Sequence, residues 1–255
     1  MYVIFCDVQA YPEYLISIQR KNGREMAANQ GMSIALSWPT HWAPMTDNGK
    51  PVKILLNRND QEFRAVQKLF FDANLNDFSL LNVYRIQNPF LFQSYQIFKK
   101  QLQSKYQGRL DIISDLEKTL FHGTAKESVE QIYSKFFNRG YCGKNASAYG
   151  QGVYFARDLG FSANDTSSKP DPITNEKAIF VCKVLVGESC QGDSNLRDCG
   201  NYESAVDNIG NPSVYVIFCD VQAYPEYLII IQKKTQKMSL KFWNRFHAPY
   251  NGQKS

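Results

Sequence analysis

The sequence is poor in the residues that build metal centres. It holds three histidines and six cysteines in 255 residues. None of Cys6, Cys142, Cys182, Cys190, Cys199 and Cys219 forms a Cys-x-x-Cys pair or has partner histidines at zinc spacing. No metal is therefore expected, and the cysteines read as free intracellular thiols. No apolar run reaches the ~20 residues that cross a bilayer, so no membrane span is expected. Nothing after Met1 resembles a basic leader, so no signal peptide is expected and the location is read as intracellular, cytoplasmic and/or nuclear. Charge of either sign is also modest. A net charge of +5 permits an anionic ligand but does not argue for a nucleic-acid binder.

What is present suits one sizeable domain or one domain with appendages. Val52 to Leu56 reads as a strand. Asn59 with Glu62 forms a capping box, followed by an apolar face of Phe63, Val66, Phe70 and Ala73. Phe78 to Ile86 alternates as a strand. Asn88-Pro89 starts a helix with a core-facing stripe of Phe92, Tyr95, Phe98 and Leu102. Lys99, Lys100, Lys105 and Arg109 read as a solvated face. Residues 107–116 read as loop. Thr124 with Glu127 forms a second capping box before Val129, Ile132 and Phe136. Val153 to Ala156 is a strand, and 162–168 a short helix or turn ended by Pro170 and Pro172. Ala178 to Val186 and Ser213 to Cys219 are almost continuously apolar and read as central strands. Tyr227 to Gln232 is the last strand. Many short strands with a few helices predict an α+β fold.

Two motifs organise the chain. Leu120-Phe121-His122-Gly123-Thr124 is a strand end carrying one histidine. Gly150-Gln151-Gly152-Val153-Tyr154-Phe155-Ala156 is a glycine-punctuated turn entering a strand with one tyrosine. Alone, each is weak, since a lone histidine or strand tyrosine is usually core. In this order and spacing they resemble the poly(ADP-ribose) polymerase superfamily of ADP-ribosyltransferases. The stretches Gly140 to Gly150, Ser162-Ala163-Asn164-Asp165 and Gln222 to Leu228 look most like its macrodomain-associated mono-ADP-ribosyltransferase branch. Trp38-Pro39-Thr40-His41-Trp42 resembles the start of such catalytic domains. The resemblance runs from about Trp38 to Gln232. It implies the split β-sheet ADP-ribosyltransferase fold with flanking helices and NAD as ADP-ribose donor.

It also implies roles. The family's reaction breaks the nicotinamide–ribose bond of NAD, so the site must hold the sugar and tolerate a developing positive charge, as in glycoside cleavage. By resemblance, His122 would hydrogen-bond a 2′-hydroxyl of the nicotinamide-side or adenine ribose. Gly123 would let the backbone approach the carboxamide, with Thr124 beside it. Tyr154 would stack on the nicotinamide, Phe155 beside it would also contact the cofactor, and Ser162 would bond the carboxamide. Gly140 to Tyr149, including Tyr141, matches the family's donor loop.

Two departures bear on activity. Polymer-forming members carry a glutamate where this chain has Val214, at the head of the strand Val214 to Phe218. Valine can neither accept a hydrogen bond nor activate an incoming hydroxyl. One unit is therefore expected to be transferred, to a protein side chain and conceivably on the chain itself. The motif gives nearby Glu203 and Asp207 no role. The second departure is Ser167, where relatives carry a tyrosine on the other face of the nicotinamide. Phe136, where relatives have a smaller residue, is a third oddity. The competing reading is an NAD-binding or scaffold module of the same fold with weak or no transfer.

The ends of the chain differ from its middle. Tyr2 to Ile16 repeats Tyr215 to Ile229 letter for letter. In the family this text ends the catalytic domain, so residues 1–34 read as the remnant of a preceding catalytic copy plus linker. Residues 35–232 read as the catalytic domain and 233–255 as a basic tail. The tail, with Lys233, Lys234, Lys237, Lys241 and Arg245, is all that supports contact with nucleic acid or a membrane surface.

Overall fold

The computed structural model describes residues 38–45, 49–138 and 147–234. The N-terminal copy, Tyr141 and the tail beyond Lys234 lie outside the described residues. Among the described residues nine strands form one sheet: β1 (Val52–Leu55), β2 (Phe78–Gln87), β3 (Glu117–Thr124), β4 (Val153–Ala156), β5 (Glu176–Leu185), β6 (Ser189–Gln191), β7 (Ser204–Val206), β8 (Val214–Ile217) and β9 (Ala223–Lys233). Their order across the sheet is β1-β2-β9-β5-β3-β4-β8-β7-β6. All neighbours are antiparallel except β6 and β7. The sheet is split: β3 pairs with β5 from Glu117↔Leu185 to Thr124↔Ala178, but with β4 only at Phe121↔Ala156. The architecture is α+β, as expected.

The apolar run of β5 has a direct cause. Ala178, Phe180, Cys182 and Val184 enter a core with Ile86, Leu120, Ile132, Phe137 and Phe155. Ile179 and Val181 enter another on the opposite face, with Phe63, Val66, Phe70, Phe121 and Leu159. A strand buried on both faces has no polar alternation to show. Among the described residues five α-helices cover the sheet: α1 (Gln61–Asp72), α2 (Pro89–Lys105), α3 (Leu110–Asp115), α4 (Val129–Lys135) and α5 (Leu159–Ser162).

Several local expectations are corrected. The cap of α1 is Asp60, not Asn59, and Glu62 instead binds the Arg85 guanidinium and accepts from the Tyr227 hydroxyl at 3.0 Å. Thr124 is the last residue of β3. A 3-10 turn (Lys126–Ser128) then leads into α4, with no side-chain cap. Residues read as loop contain α3. The lysine face of α2 is only partly solvated: Lys99 meets Glu117 at 2.5 Å, and Lys105 bonds Glu203. The cap on α2 is as read, with Asn88 Oδ1 accepting from the Leu91 amide at 3.0 Å.

Phe136 follows α4 with φ 82° and ψ 168°, a region that only glycine occupies without strain, at a cost of about 1–3 kcal/mol. Its ring meets Phe90 edge-on at 5.8 Å, and Phe90 is itself 54% exposed. Relief of strain should offset most of the lost packing in Phe136→Gly. We expect its unfolding free energy to stay within about 1 kcal/mol of wild type, against the roughly 3–5 kcal/mol of an ordinary core Phe truncation. Urea denaturation measures it.

Candidate active site

His122 and Tyr154 stand on the two strands that flank the split. His122 Nδ1–H donates to the Tyr154 carbonyl at 2.8 Å, linking β3 to β4. The ring sits edge-on to Phe137 at 5.1 Å and 5.5 Å from Phe155. Burial pushes its pKa below the ordinary 6.5, and the carbonyl bond opposes this only in part. The imidazole is therefore neutral at pH 7 with its proton on Nδ1, leaving Nε2 as an acceptor. The depressed pKa also has a sign for stability. The unfolded chain binds the proton more readily, so the contribution of neutral His122 is complete above pH 6.5 and is lost as pH falls below it. In His122→Gln the acid limb of a Tm-versus-pH curve should flatten in that range.

Tyr154 is fixed by its own turn. Its hydroxyl accepts from the Tyr149 amide at 3.0 Å and donates to the Gly150 carbonyl at 2.8 Å. The turn is pressed onto β8: a Cβ on Gly152 would lie 2.4 Å from the Ile217 carbonyl oxygen. Tyr154 packs against the buried cluster of Ala205, Val214, Val216 and Phe218, as do Tyr149, Leu196, Cys190 and Cys199.

Gly123 has a structural reason of its own. A Cβ there would lie 2.5 Å from the Ser162 carbonyl oxygen and 2.9 Å from Ser167 C and O. The motif glycine thus lets the 162–167 segment close onto β3. This brings Ser162, which is buried, and Ser167 to the same corner as His122. Thr124 is buried, and its carbonyl takes a long 3.5 Å bond from the Ser168 hydroxyl. Phe155, read from sequence as a cofactor contact, is 1% exposed and belongs to the core, where it backs His122.

No carboxylate replaces the missing glutamate from nearby in sequence. Val214 is buried and its amide donates to Asp207 Oδ1 at 3.0 Å. Asp207 also takes the Ser213 amide and hydroxyl. Its pKa is lowered by those hydrogen bonds, against the opposing effect of burial. Asp207 thus holds the turn into β8, a role that sequence reading missed. The signal was there: an Asp before Asn208-Ile209-Gly210-Asn211-Pro212 is turn chemistry. Glu203 is engaged by Lys105, by the Tyr106 hydroxyl and by the Glu188 amide at 3.1 Å. Among the described residues no group of three or more His, Cys, Asp or Glu could hold a metal ion, and no helix is long and apolar enough to cross a membrane.

With that geometry in place, comparison decides the family. The poly(ADP-ribose) polymerase catalytic domain family matches residues 60–198. The chain belongs to this family. Its similarity extends to protein mono-ADP-ribosyltransferase PARP14 of Homo sapiens, 39% identical over 204 residues, which are 76% of this chain and 11% of that protein. It is 37% identical to PARP10 of Mus musculus, a protein mono-ADP-ribosyltransferase, over 68% of this chain and 19% of that one. PARP11 of Mus musculus, also a protein mono-ADP-ribosyltransferase, is 30% identical over 76% of this chain and 65% of its own length. The chain thus spans about a ninth to a fifth of the first two relatives. Within the poly(ADP-ribose) polymerase family frame, His122, Gly123, Tyr154 and Ser162 converge at the split, while Tyr149 secures Tyr154 from the adjoining loop.

Proposed function

We propose that this chain is the catalytic domain of an NAD-dependent mono-ADP-ribosyltransferase that modifies a protein side chain. The carrying observation is the pairing of an oriented, neutral His122 with a β8 that begins in Val214. The residues fit the donor. Nε2 of His122 is an acceptor for a ribose hydroxyl, whose position the Nδ1–carbonyl bond sets in advance. The Tyr154 ring, locked by its hydroxyl, offers a face to the nicotinamide. Buried Ser162 supplies a hydroxyl for the carboxamide. The transfer breaks the bond from the ribose C1′ to nicotinamide and forms one from C1′ to the acceptor, whose proton passes to solvent. Val214 leaves no side-chain base for a second sugar hydroxyl, which is why one unit is added and not a chain. Names of relatives that are protein mono-ADP-ribosyltransferases support the same reading.

Incubation with labelled NAD, followed by gel and intact mass, tests it beside a His122→Ala control. Single ADP-ribose additions absent from the control are the expected result. Ladders of higher mass would overturn the Val214 argument. NAD binding by calorimetry without label would favour the second reading, a binding module, which Ser167 supports by withholding an aromatic face.

Ser167 gives a further expectation. Its backbone lies against Gly123, where a tyrosine could cover the second face of the ring. Ser167→Tyr should gain about 0.5–1.5 kcal/mol from the aromatic contact. That is on the order of a tenfold lower Kd for NAD by calorimetry, and an unchanged Kd would remove this account of the site.

A further inference from the structure

Behind Tyr154 lies a chain feature that the transfer reading does not use. Cys190, the middle residue of β6, and Cys199 are free, half-buried thiols packed into one cluster with Val214, Val216, Phe218, Tyr149, Tyr154 and Leu196. Both side chains pack against the same four buried residues, and Cys190 is among the neighbours that Cys199 feels electrostatically. They stand at the two ends of a loop, residues 191–198, that is folded tightly upon itself. The Leu196 amide donates to the Asp193 carbonyl at 3.1 Å, and the Asn195 amide to Asp193 Oδ1 at 2.9 Å. Gly192 is tied to Val206 at 2.8 Å, and Tyr202 to the Cys199 carbonyl at 3.1 Å.

This loop is the outer wall of the tyrosine turn. The Gln151 amide donates to the Leu196 carbonyl at 2.7 Å, and the Gly192 backbone lies against Tyr149. Tyr149 and Gly150 in turn hold the Tyr154 hydroxyl. Anything that fastens residues 190 and 199 together fastens the wall on which Tyr154 rests.

We propose that Cys190 and Cys199 are an oxidation site, a thiol pair that closes the 191–198 loop as a reversible disulfide behind Tyr154. The oxidant is a hydroperoxide. The Cys190 sulfur attacks the peroxide oxygen, the O–O bond breaks, and an alcohol or water leaves with Cys190 as sulfenic acid. The Cys199 sulfur then attacks the Cys190 sulfur and displaces the hydroxyl as water, its own proton leaving with it. Both sulfurs are oxidised and one peroxide is reduced. The order follows from their surroundings. Burial pushes the Cys199 thiol well up, and the Cys190 sulfur, Asp198 and Glu203 push it further. Burial disfavours the Cys199 thiolate, which suits Cys199 to the resolving role. The site does not depend on the transfer reading, since the bond is detected without any turnover.

The test oxidises the whole folded chain with tert-butyl hydroperoxide, blocks remaining thiols with an alkylating agent, and maps tryptic peptides without reductant. Cleavage after Lys183, Arg197 and Lys233 puts Cys190 and Cys199 on separate peptides, 184–197 and 198–233. The expected result is these two peptides joined, with fragmentation placing the bond at Cys199 and not at Cys219. The bond should be retained in Cys219→Ser, lost in Cys199→Ser and reversed by dithiothreitol. Exchange of the Gln151 amide should slow severalfold in the oxidised chain and recover on reduction. Cys190 ending as sulfinic acid, or linked to Cys219 or Cys182, overturns the proposal. So does a wild-type chain whose two thiols are both still alkylated. The wild-type map decides the matter even if a serine variant fails to fold.

Discussion

His122→Ala is expected to lower kcat/KM for ADP-ribosyl transfer from NAD by roughly two orders of magnitude, the usual cost of removing one preorganised hydrogen-bonding group from a reacting centre. Two losses combine. The first is the Nε2 acceptor. The second is the Nδ1–H donor to the Tyr154 carbonyl at 2.8 Å, whose removal leaves that carbonyl without its partner across the split. His122→Gln separates the two. A glutamine amide can still donate to the carbonyl, but it does not set an acceptor where Nε2 stood. It should recover most of the stability lost by the alanine variant and little of the activity. Steady-state kinetics with labelled NAD, beside thermal melts, read both quantities. Alanine activity within about threefold of wild type would mean that His122 is a packing residue for Phe137 and Phe155 and nothing more.

Gly123→Ala should be costly for a different reason. A methyl group there meets backbone atoms, at 2.5 Å from the Ser162 oxygen and 2.9 Å from Ser167 C and O. No rotamer can move them aside. The whole 162–167 segment must shift, which overpacks the site by about 3 kcal/mol and lowers Tm by roughly 6–12 °C in a chain of this size. NAD binding should weaken at the same time, because Ser162 and Ser167 move with the segment. Gly160→Ala is the control. It lies close by on α5, where a Cβ would come no nearer than 3.8 Å, to a Leu75 methyl, so it should be neutral or slightly stabilising. A Gly123→Ala melt within 2 °C of wild type would show that the segment yields freely.

The sequence made some of this plain and hid the rest for physical reasons. Strands with both faces buried, such as β5, were legible from their apolar runs. The α2 start was legible because Asn88-Pro89 has one good local solution. The three-residue strands β6 and β7 were not, because they carry too few positions to show a period. The cap assigned to Asn59 failed because Glu62 has a better partner in Arg85, 23 residues away. At the site, the motifs placed His122, Gly123, Tyr154 and Ser162 together. They did not show that Gly123 serves its own chain, that Phe155 faces inward, or that Asp207 is consumed by the β8 turn. Those are tertiary facts with no local signature.

The sparse seam between β3 and β4 carries a mechanical meaning. β3 is laced to β5 at eight register positions, from Glu117 to Thr124, and to β4 at one. A nine-stranded sheet laced evenly would behave as a stiff plate. Here the least resistance to widening lies along a single rung and the His122–Tyr154 bond beside it. A leaving group must depart through a gap wide enough to pass it, and local opening costs least where the fewest bonds are broken. In the proposed reaction this seam would be the first to widen for a departing product, and the laced core of β5 and β9 would stay undisturbed.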